Sequence, residues 1–282
     1  MTAAVETSFE VPGATLFYKV RGSGPLLTIL QGGGGDADGS EALVQNLTGA
    51  YTVVTHDRRG LSRSPLHDAS SPVSIELHSD DVHRLLASIT PDPVFVLGIS
   101  IGALIGLDLV ARHPEQVIAL VAYEPGIADL LPEPERAQAI QTHAEVDQLY
   151  RSMGLQAAMK RMAMLSGVNL EDREPDVNLT PPDSQKSVLH ARNMNFFLAH
   201  DAPAAHSYKL DLAALEKVSA KVLPAAGRNS GDSMPHHSVL ALAKRLGLEV
   251  LYFPGAHTAY ILRPKGFATT LREAMSGLDP AS

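Results

Sequence analysis

PVFVLGISIGALIGLDLVARHP, residues 93–114, is the stretch on which the fold turns. An apolar run of strand length (93–99) passes directly into a second apolar run of helix length, which Pro114 stops. A short strand with no polar alternation is one buried on both faces, as in a parallel sheet. At the junction Ser100 stands between Gly98 and Gly102 in a Gly-x-Ser-x-Gly pattern. A strand that turns this sharply into a helix admits only small neighbours and holds the serine side chain out at the sheet's edge.

The same alternation extends in both directions. Upstream, residues 8–20 (SFEVPGATLFYKV) divide into two short strands at the turn dipeptide Pro12-Gly13. PLLTIL (25–30) is a further buried strand, ended by the glycine run Gly32 to Gly35. A helix-like stretch from Ser40 to Leu47 leads to the strand YTVVTHD (51–57). Over residues 74–89, Ile75, Val82, Leu85, Leu86 and Ile89 share one helix face. Downstream, QVIALVAYE (116–124) is the next strand. The pattern then stops: residues 126–205 read as helical and irregular, with prolines at 132, 134, 175, 181 and 182. It resumes with AKVLPAAG (220–227), a helix from about Pro235 to Leu246, LEVLYF (248–253) and a last helix from Pro264 to Met275. The expectation is an α/β fold with a mostly parallel, doubly wound sheet. Its core is made of residues 1–125 and 206–282, and residues 126–205 form an inserted helical cap. Leaving and returning at neighbouring strand ends, the cap is expected over the carboxyl edge of the sheet, where open α/β sheets bind ligands.

Composition removes several classes of function. The 282 residues are 45% hydrophobic, enough for a sizeable core and too many for a disordered chain. The formal charge is −8, from 23 lysines plus arginines against 31 aspartates plus glutamates, and no basic cluster occurs. That argues against a nucleic-acid partner and against an anionic membrane surface. There is no cysteine, which excludes disulfides, thiolate metal sites and a cysteine nucleophile. The opening MTAAVETSFEVPG has no basic stretch followed by an apolar one. No apolar run reaches the roughly 18 residues of a membrane span, so a soluble, cytoplasmic protein is expected, with a homo-oligomer left open. The pair His236-His237 lacks an HExxH or carboxylate spacing and falls near a helix start, so it is read as solvent-facing and no metal is expected. The glycine run lacks a following Gly-Lys-Ser/Thr, which argues against a bound nucleotide, and no cofactor is expected.

The order of elements, the Gly-x-Ser-x-Gly turn and the late FPGAH (253–257) resemble the α/β-hydrolase superfamily over nearly the whole chain. HDRRGLSRS (56–64) also resembles the stretch after that family's fourth strand, where Asp57 and Arg58 would tie down the turn. The resemblance implies Ser100 as nucleophile, and a serine hydroxyl needs a base to take its proton. Among twelve histidines, His257 occupies the family's place for that base, on a short loop between the 248–253 strand and the last helix. The third member is a buried carboxylate that holds the imidazole's tautomer and stabilises its charged form. The commonest family position, Gly-x-x-Asp after the seventh strand, here holds Ser230, with Asp232 two residues on. The alternative position, at the end of the sixth strand, holds Glu124, which is taken as the acid with Asp232 as its rival. The resemblance further implies an oxyanion hole from the backbone amides of Ile101 and Gly33, the latter in QGGGG (31–35), where Gln31 replaces the usual histidine.

A serine at this turn separates the chain from the similar haloalkane dehalogenases and epoxide hydrolases, which carry aspartate there. Acyl transfer to water remains, from esters, lactones or thioesters. One subset, the zearalenone lactone hydrolases, resembles the chain in further motifs: a glutamate after the sixth strand, a PG-x-H loop and a G-x-SRS turn. Their counterparts here are Glu124, twenty-four residues on from Ser100, then Pro254-Gly255-His257 and Gly60 to Ser64. The cap tryptophan of that family has no counterpart, because the chain contains no tryptophan. The cap does carry Leu149, Met153, Met159, Met162, Met164, Leu165, Phe196 and Phe197; most are read as the cap's own core, while a methionine-rich lining among them would suit a bulky apolar ester or macrolactone. Gly32, Met153, Met162, Phe196, Phe197 and Tyr260 are the expected substrate-binding residues. Two other readings stay open: a cofactor-free perhydrolase or lyase-type relative, and a catalytically silent ligand-binding homologue.

Overall fold

The computed structural model describes residues 4–165, 169–177 and 184–278. One sheet contains β1 (Val5–Val11), β2 (Ala14–Gly22), β3 (Leu26–Leu30), β4 (Thr52–His56), β5 (Val94–Ile99), β6 (Val117–Tyr123), β7 (Val222–Gly227) and β8 (Leu251–Phe253). The spatial order is β1-β2-β4-β3-β5-β6-β7-β8. From β4 to β8 every neighbouring pair is parallel, while β2 runs antiparallel to both β1 and β4. Burial follows position in this order. All six residues of β5, at the centre, are buried, whereas most of β1, at the edge, is exposed. The uninterrupted apolar runs of the sequence are thus the inner parallel strands.

Helices connect the strands and cover the two faces. They are α1 (Glu41–Leu47), α2 (Ile75–Ile89) and α3 (Ile101–Arg112), then α9 (Met234–Leu246), α10 (Ala259–Leu262) and α11 (Pro264–Met275). Between β6 and β7 the described residues carry α4 (Glu135–Met153), α5 (Leu155–Leu165), α6 (Ser184–Phe196), a π-helical turn Phe197–Asp201, α7 (Ala202–Ser207) and α8 (Leu212–Lys217). On one face Val82 and Leu86 of α2 and Leu104 and Leu107 of α3 pack on Val94, Val96 and Leu120. On the other, Leu43 of α1 and Phe267 and Leu271 of α11 pack with Leu27, Phe95, Tyr123 and Phe253. The polar residue within apolar α3, Asp108, is buried and satisfied: it accepts from Arg112 Nε at 2.7 Å and from the Tyr208 hydroxyl at 2.8 Å. The short α10, directly after the His257 loop, was not anticipated from the sequence.

Topology fixes where a ligand meets the sheet. From β3 the chain passes through α1 to β4 on one side, while β5 lies against the other side of β3. The connections diverge between the carboxyl ends of β3 and β5, which opens a crevice there. Gly32 follows β3 and Ser100 follows β5, so both stand at this point.

Candidate active site

Ser100 ends β5 and opens α3 with φ +54°, a left-handed conformation shared among the described non-glycine residues only with Ser62 and Glu124. Holding a side chain there costs on the order of 1–3 kcal/mol. The surrounding backbone imposes it: Ser100 N–H donates to Tyr123 O at 2.9 Å, and Ser100 O accepts from Ala103 N–H at 2.9 Å. The neighbouring glycines are required by space. A Cβ at Gly98 would lie 2.6 Å from Ala103 Cα, one at Gly102 would run into the Leu30 carbonyl, and one at Gly32 would stand 3.3 Å from Ser100 Cβ.

Glu124 follows β6, also left-handed at φ +46°, with its N–H donating to Ala225 O at 2.9 Å. The carboxylate is fully buried and spoken for on both oxygens. Oε2 lies 2.7 Å from His257 Nδ1, while Oε1 accepts from Gly227 N–H at 2.8 Å and from the Ser230 hydroxyl. Burial alone would raise this carboxyl, but the hydrogen bond and charge of His257, with Ser230 and Gly227, outweigh it and hold the group below the usual glutamate range. An ionised carboxylate only accepts, so Nδ1 carries the ring proton and Nε2 is the acceptor in the neutral imidazole. Ser230, which occupies the family's acid slot, therefore serves the acid on the neighbouring strand. Tyr123 adds a tether: its buried hydroxyl donates to Ala256 O at 2.7 Å and pins the His257 loop. Neither role is marked in the sequence except by the Gly-x-x-Ser that stands where Gly-x-x-Asp is usual.

Ser100, Ile101, Ser230 and His257 line one cavity of about 670 Å³. Leu104, Leu131, Val146, Met162, Leu165 and Phe197 supply much of its apolar wall. Ser100 and His257 face this shared space without a direct hydrogen bond between them. Gly33, at φ +42°, lies on the loop after β3, and the guanidinium of Arg58 donates to its carbonyl. Asp57 ties down the following turn, accepting from Ala37 N–H at 2.7 Å and from Arg63 Nε at 2.7 Å. Among the described residues no group of three or more potential ligands could hold a metal ion, and no helix is long and apolar enough to cross a membrane.

Several expectations are corrected. Asp232, the rival acid, is fully exposed and among the described residues pairs only with His237, at 3.9 Å, while Glu124, the preferred acid, is the carboxylate on His257. Met153, at the C-terminal end of α4, is 70% exposed and does not line the cavity. Phe196 is turned against Gly60, where a Cβ would collide with its ring, and its ring lies tilted at 38° to that of His200, with centroids 4.6 Å apart, away from the cavity lining. Tyr260, on α10, packs against the core on the α1/α11 face. The His236-His237 pair is half-buried rather than solvent-facing: His237 Nδ1 sits 2.9 Å from Glu135 on the cavity lining, and His236 lies against Tyr252. Met162 and Phe197 do line the cavity, and Gly32 abuts Ser100.

Comparison with known proteins agrees with this architecture. Residues 25–180 match the family model of the alpha/beta hydrolase fold. The chain is 40% identical over 275 residues to an uncharacterized hydrolase, YraK, of Bacillus subtilis (strain 168), covering 95% of each chain. A solved hydrolase from Pseudomonas aeruginosa PA01 is similar in fold, with a TM-score of 0.68 at 20% identity over 96% of this chain and 98% of that one. An alpha/beta hydrolase from Sphaerobacter thermophilus DSM 20745 is similar to the same degree, with a TM-score of 0.68 at 20% identity over 96% of this chain and 100% of that one. With its eight-stranded sheet, its strand-to-helix serine turn and a family match over more than half its length, the chain belongs to the α/β-hydrolase fold family and is a hydrolase.

Proposed function

We propose that the chain is a cytoplasmic serine hydrolase that cleaves a carboxylic ester or lactone through an acyl-enzyme. In this reading residues 126–205 form a cap over a core of residues 1–125 and 206–282. The observation that carries it is the buried Glu124 carboxylate on His257 Nδ1, with His257 and Ser100 facing one cavity. His257 Nε2 takes the Ser100 proton as Oγ bonds to the substrate carbonyl carbon. The negative charge that moves to the carbonyl oxygen is met by the amides of Ile101 and Gly33. Collapse of this intermediate breaks the carbon–oxygen bond, and the leaving alkoxide takes its proton from His257. Water, deprotonated by the same nitrogen, then releases the acid and restores Ser100. Glu124 stabilises the imidazolium in both halves and stays ionised throughout.

The walls support a substrate class. A volume of about 670 Å³ lies within the usual range for small-molecule sites. Most of its described surface is apolar, with Phe197 among leucines and methionines; Glu135, His143, His206 and His237 add polar groups, and no lysine or arginine is there to pair an anion. A bulky uncharged ester or a macrolactone such as zearalenone suits it. A panel of aryl esters of increasing acyl length, with zearalenone as the macrolactone, tests this beside Ser100→Ala. Turnover of the bulky members and a loss of about 10³-fold or more in the variant are expected. Turnover that persists in Ser100→Ala, or that is confined to short, charged acyl groups, contradicts the proposal.

A further inference from the structure

Three successive carbonyls of the loop after β3 are each tied to a donor. Gln31 O accepts from Arg58 Nη1 at 2.8 Å, Gly33 O accepts from Arg58 Nη2, and Gly32 O accepts from Gly35 N–H at 2.9 Å. In a trans peptide the N–H points opposite to the C=O. Tying Gly32 O to Gly35 therefore turns the Gly33 N–H to the other side, and Arg58 fixes the peptides on both flanks. The guanidinium is itself held by a group far along the chain: Asp201 Oδ2 lies 2.9 Å from Arg58 Nη2, and Asp201 Oδ1 lies 3.1 Å from His78 Nε2. Arg58, Asp201 and His78 are each no more than 2% exposed. Asp201 ends the π-helical turn between α6 and α7, so this ion pair joins the helical insert to the loop beside Ser100.

A buried ion pair is weak evidence for stability, because desolvation offsets most of its attraction. The forked contact of one guanidinium with two carbonyls of one short loop gives it a more specific task. We propose that Arg58 and Asp201 are positioning residues for the oxyanion: Asp201 aims Arg58, and Arg58 locks the loop so that the Gly33 N–H meets the charge that develops on the substrate oxygen. Through Asp201, correct seating of the helical insert becomes a condition for a complete oxyanion hole. The inference rests on the serine mechanism proposed above.

Two variants test it. Asp201→Asn keeps the size and removes the charge, whereas Arg58→Lys keeps the charge but replaces the planar fork with a single ammonium that lacks its two-carbonyl geometry. For each, kcat and KM are measured on the best ester of the panel. Inhibition is measured with the trifluoromethyl ketone of the same acyl group, which forms a tetrahedral oxyanion on serine, and with the matching secondary alcohol, which does not. Loss of a whole oxyanion donor typically costs about 10²–10³ in kcat, so a mis-aimed one is expected to cost about 10- to 100-fold. Ketone affinity should fall by the same factor, with KM and alcohol affinity within about twofold of wild type. Folded variants that keep kcat and ketone affinity within about twofold overturn the inference. So do variants in which alcohol, ketone and KM weaken together, which is the signature of a purely structural tie. If Asp201→Asn does not fold, Arg58→Lys decides. A wild-type protein that neither hydrolyses esters nor binds the ketone overturns the serine mechanism, and this inference with it.

Discussion

Glu124 meets two unfavourable conditions at once: a left-handed backbone and a charge removed from water. Both are sustained by the Ala225 carbonyl on its N–H and by three donors on its carboxylate. Glu124→Gln removes the charge that balances the imidazolium, and kcat is expected to fall about 10²- to 10⁴-fold. Asp232→Asn, in the open, should leave kcat within about twofold. The same carboxylate has a signature in stability. Its folded-state pKa is lowered, so its contribution is complete above the ordinary value of 4.5 and is lost as pH falls through the lowered one. Urea midpoints of wild type and Glu124→Gln should therefore converge as pH drops below about 4.5. Ser100, Glu124 and His257 were legible as candidates because each follows a strand that the sequence itself delimits. Asp232 could not be set aside on the same basis, since residue type does not reveal exposure. Ser230 was seen in the acid's slot, but its part as a donor depends on β6 and β7 being neighbours in space.

At the scale of elements, the β5–α3 turn is built by subtraction of side chains. The helix starts so close to β3 that α3 must present glycine where Leu30 passes. Gly102→Ala is expected to cost at least the ~1–3 kcal/mol usual for overpacking, read as a lowered urea midpoint. Gly49→Ala provides the contrast: no atom lies within 4 Å of its would-be Cβ and its φ is not positive, so a change within about 1 kcal/mol is expected. The periodicity of β3 to β6 and of α2 and α3 carried enough information to assign them, since inner strands and two-sided helices bury what the pattern says they bury. The segment between β6 and β7 was read less well. Its methionines and phenylalanines are spread around their helices, and composition does not say which of them face the cavity. Met153 ended in the open, Phe196 closed the Gly60 turn, and Met162 and Phe197 reached the cavity.

Over the whole molecule, burial and charge gather where β4, α2 and the helical insert converge on Arg58. His56, the last residue of β4, is 3% exposed, and its Nδ1 has no hydrogen-bond partner among the described residues. Burial first, then the proximity of Arg58 and His78, pushes its pKa down to about 3. The neutral ring is the folded form, whereas the unfolded chain takes up the proton once pH drops below about 6.5. Stability from this group is thus complete above 6.5 and lost progressively as pH falls toward about 3, by up to roughly 1.4 kcal/mol per pH unit. His56→Gln should flatten the urea-midpoint profile between pH 6.5 and 4, whatever it does to stability at neutral pH. The sheet also delivers an alcohol, an imidazole and a carboxylate to one edge from positions 100, 257 and 124. Reaction with a fluorophosphonate, followed by intact mass and peptide mapping, reads that convergence directly. One adduct per chain on the Ser100 peptide is expected, with labelling strongly slowed in Glu124→Gln and absent in Ser100→Ala. No adduct, or an equal rate of labelling in Ser100→Ala, would contradict it.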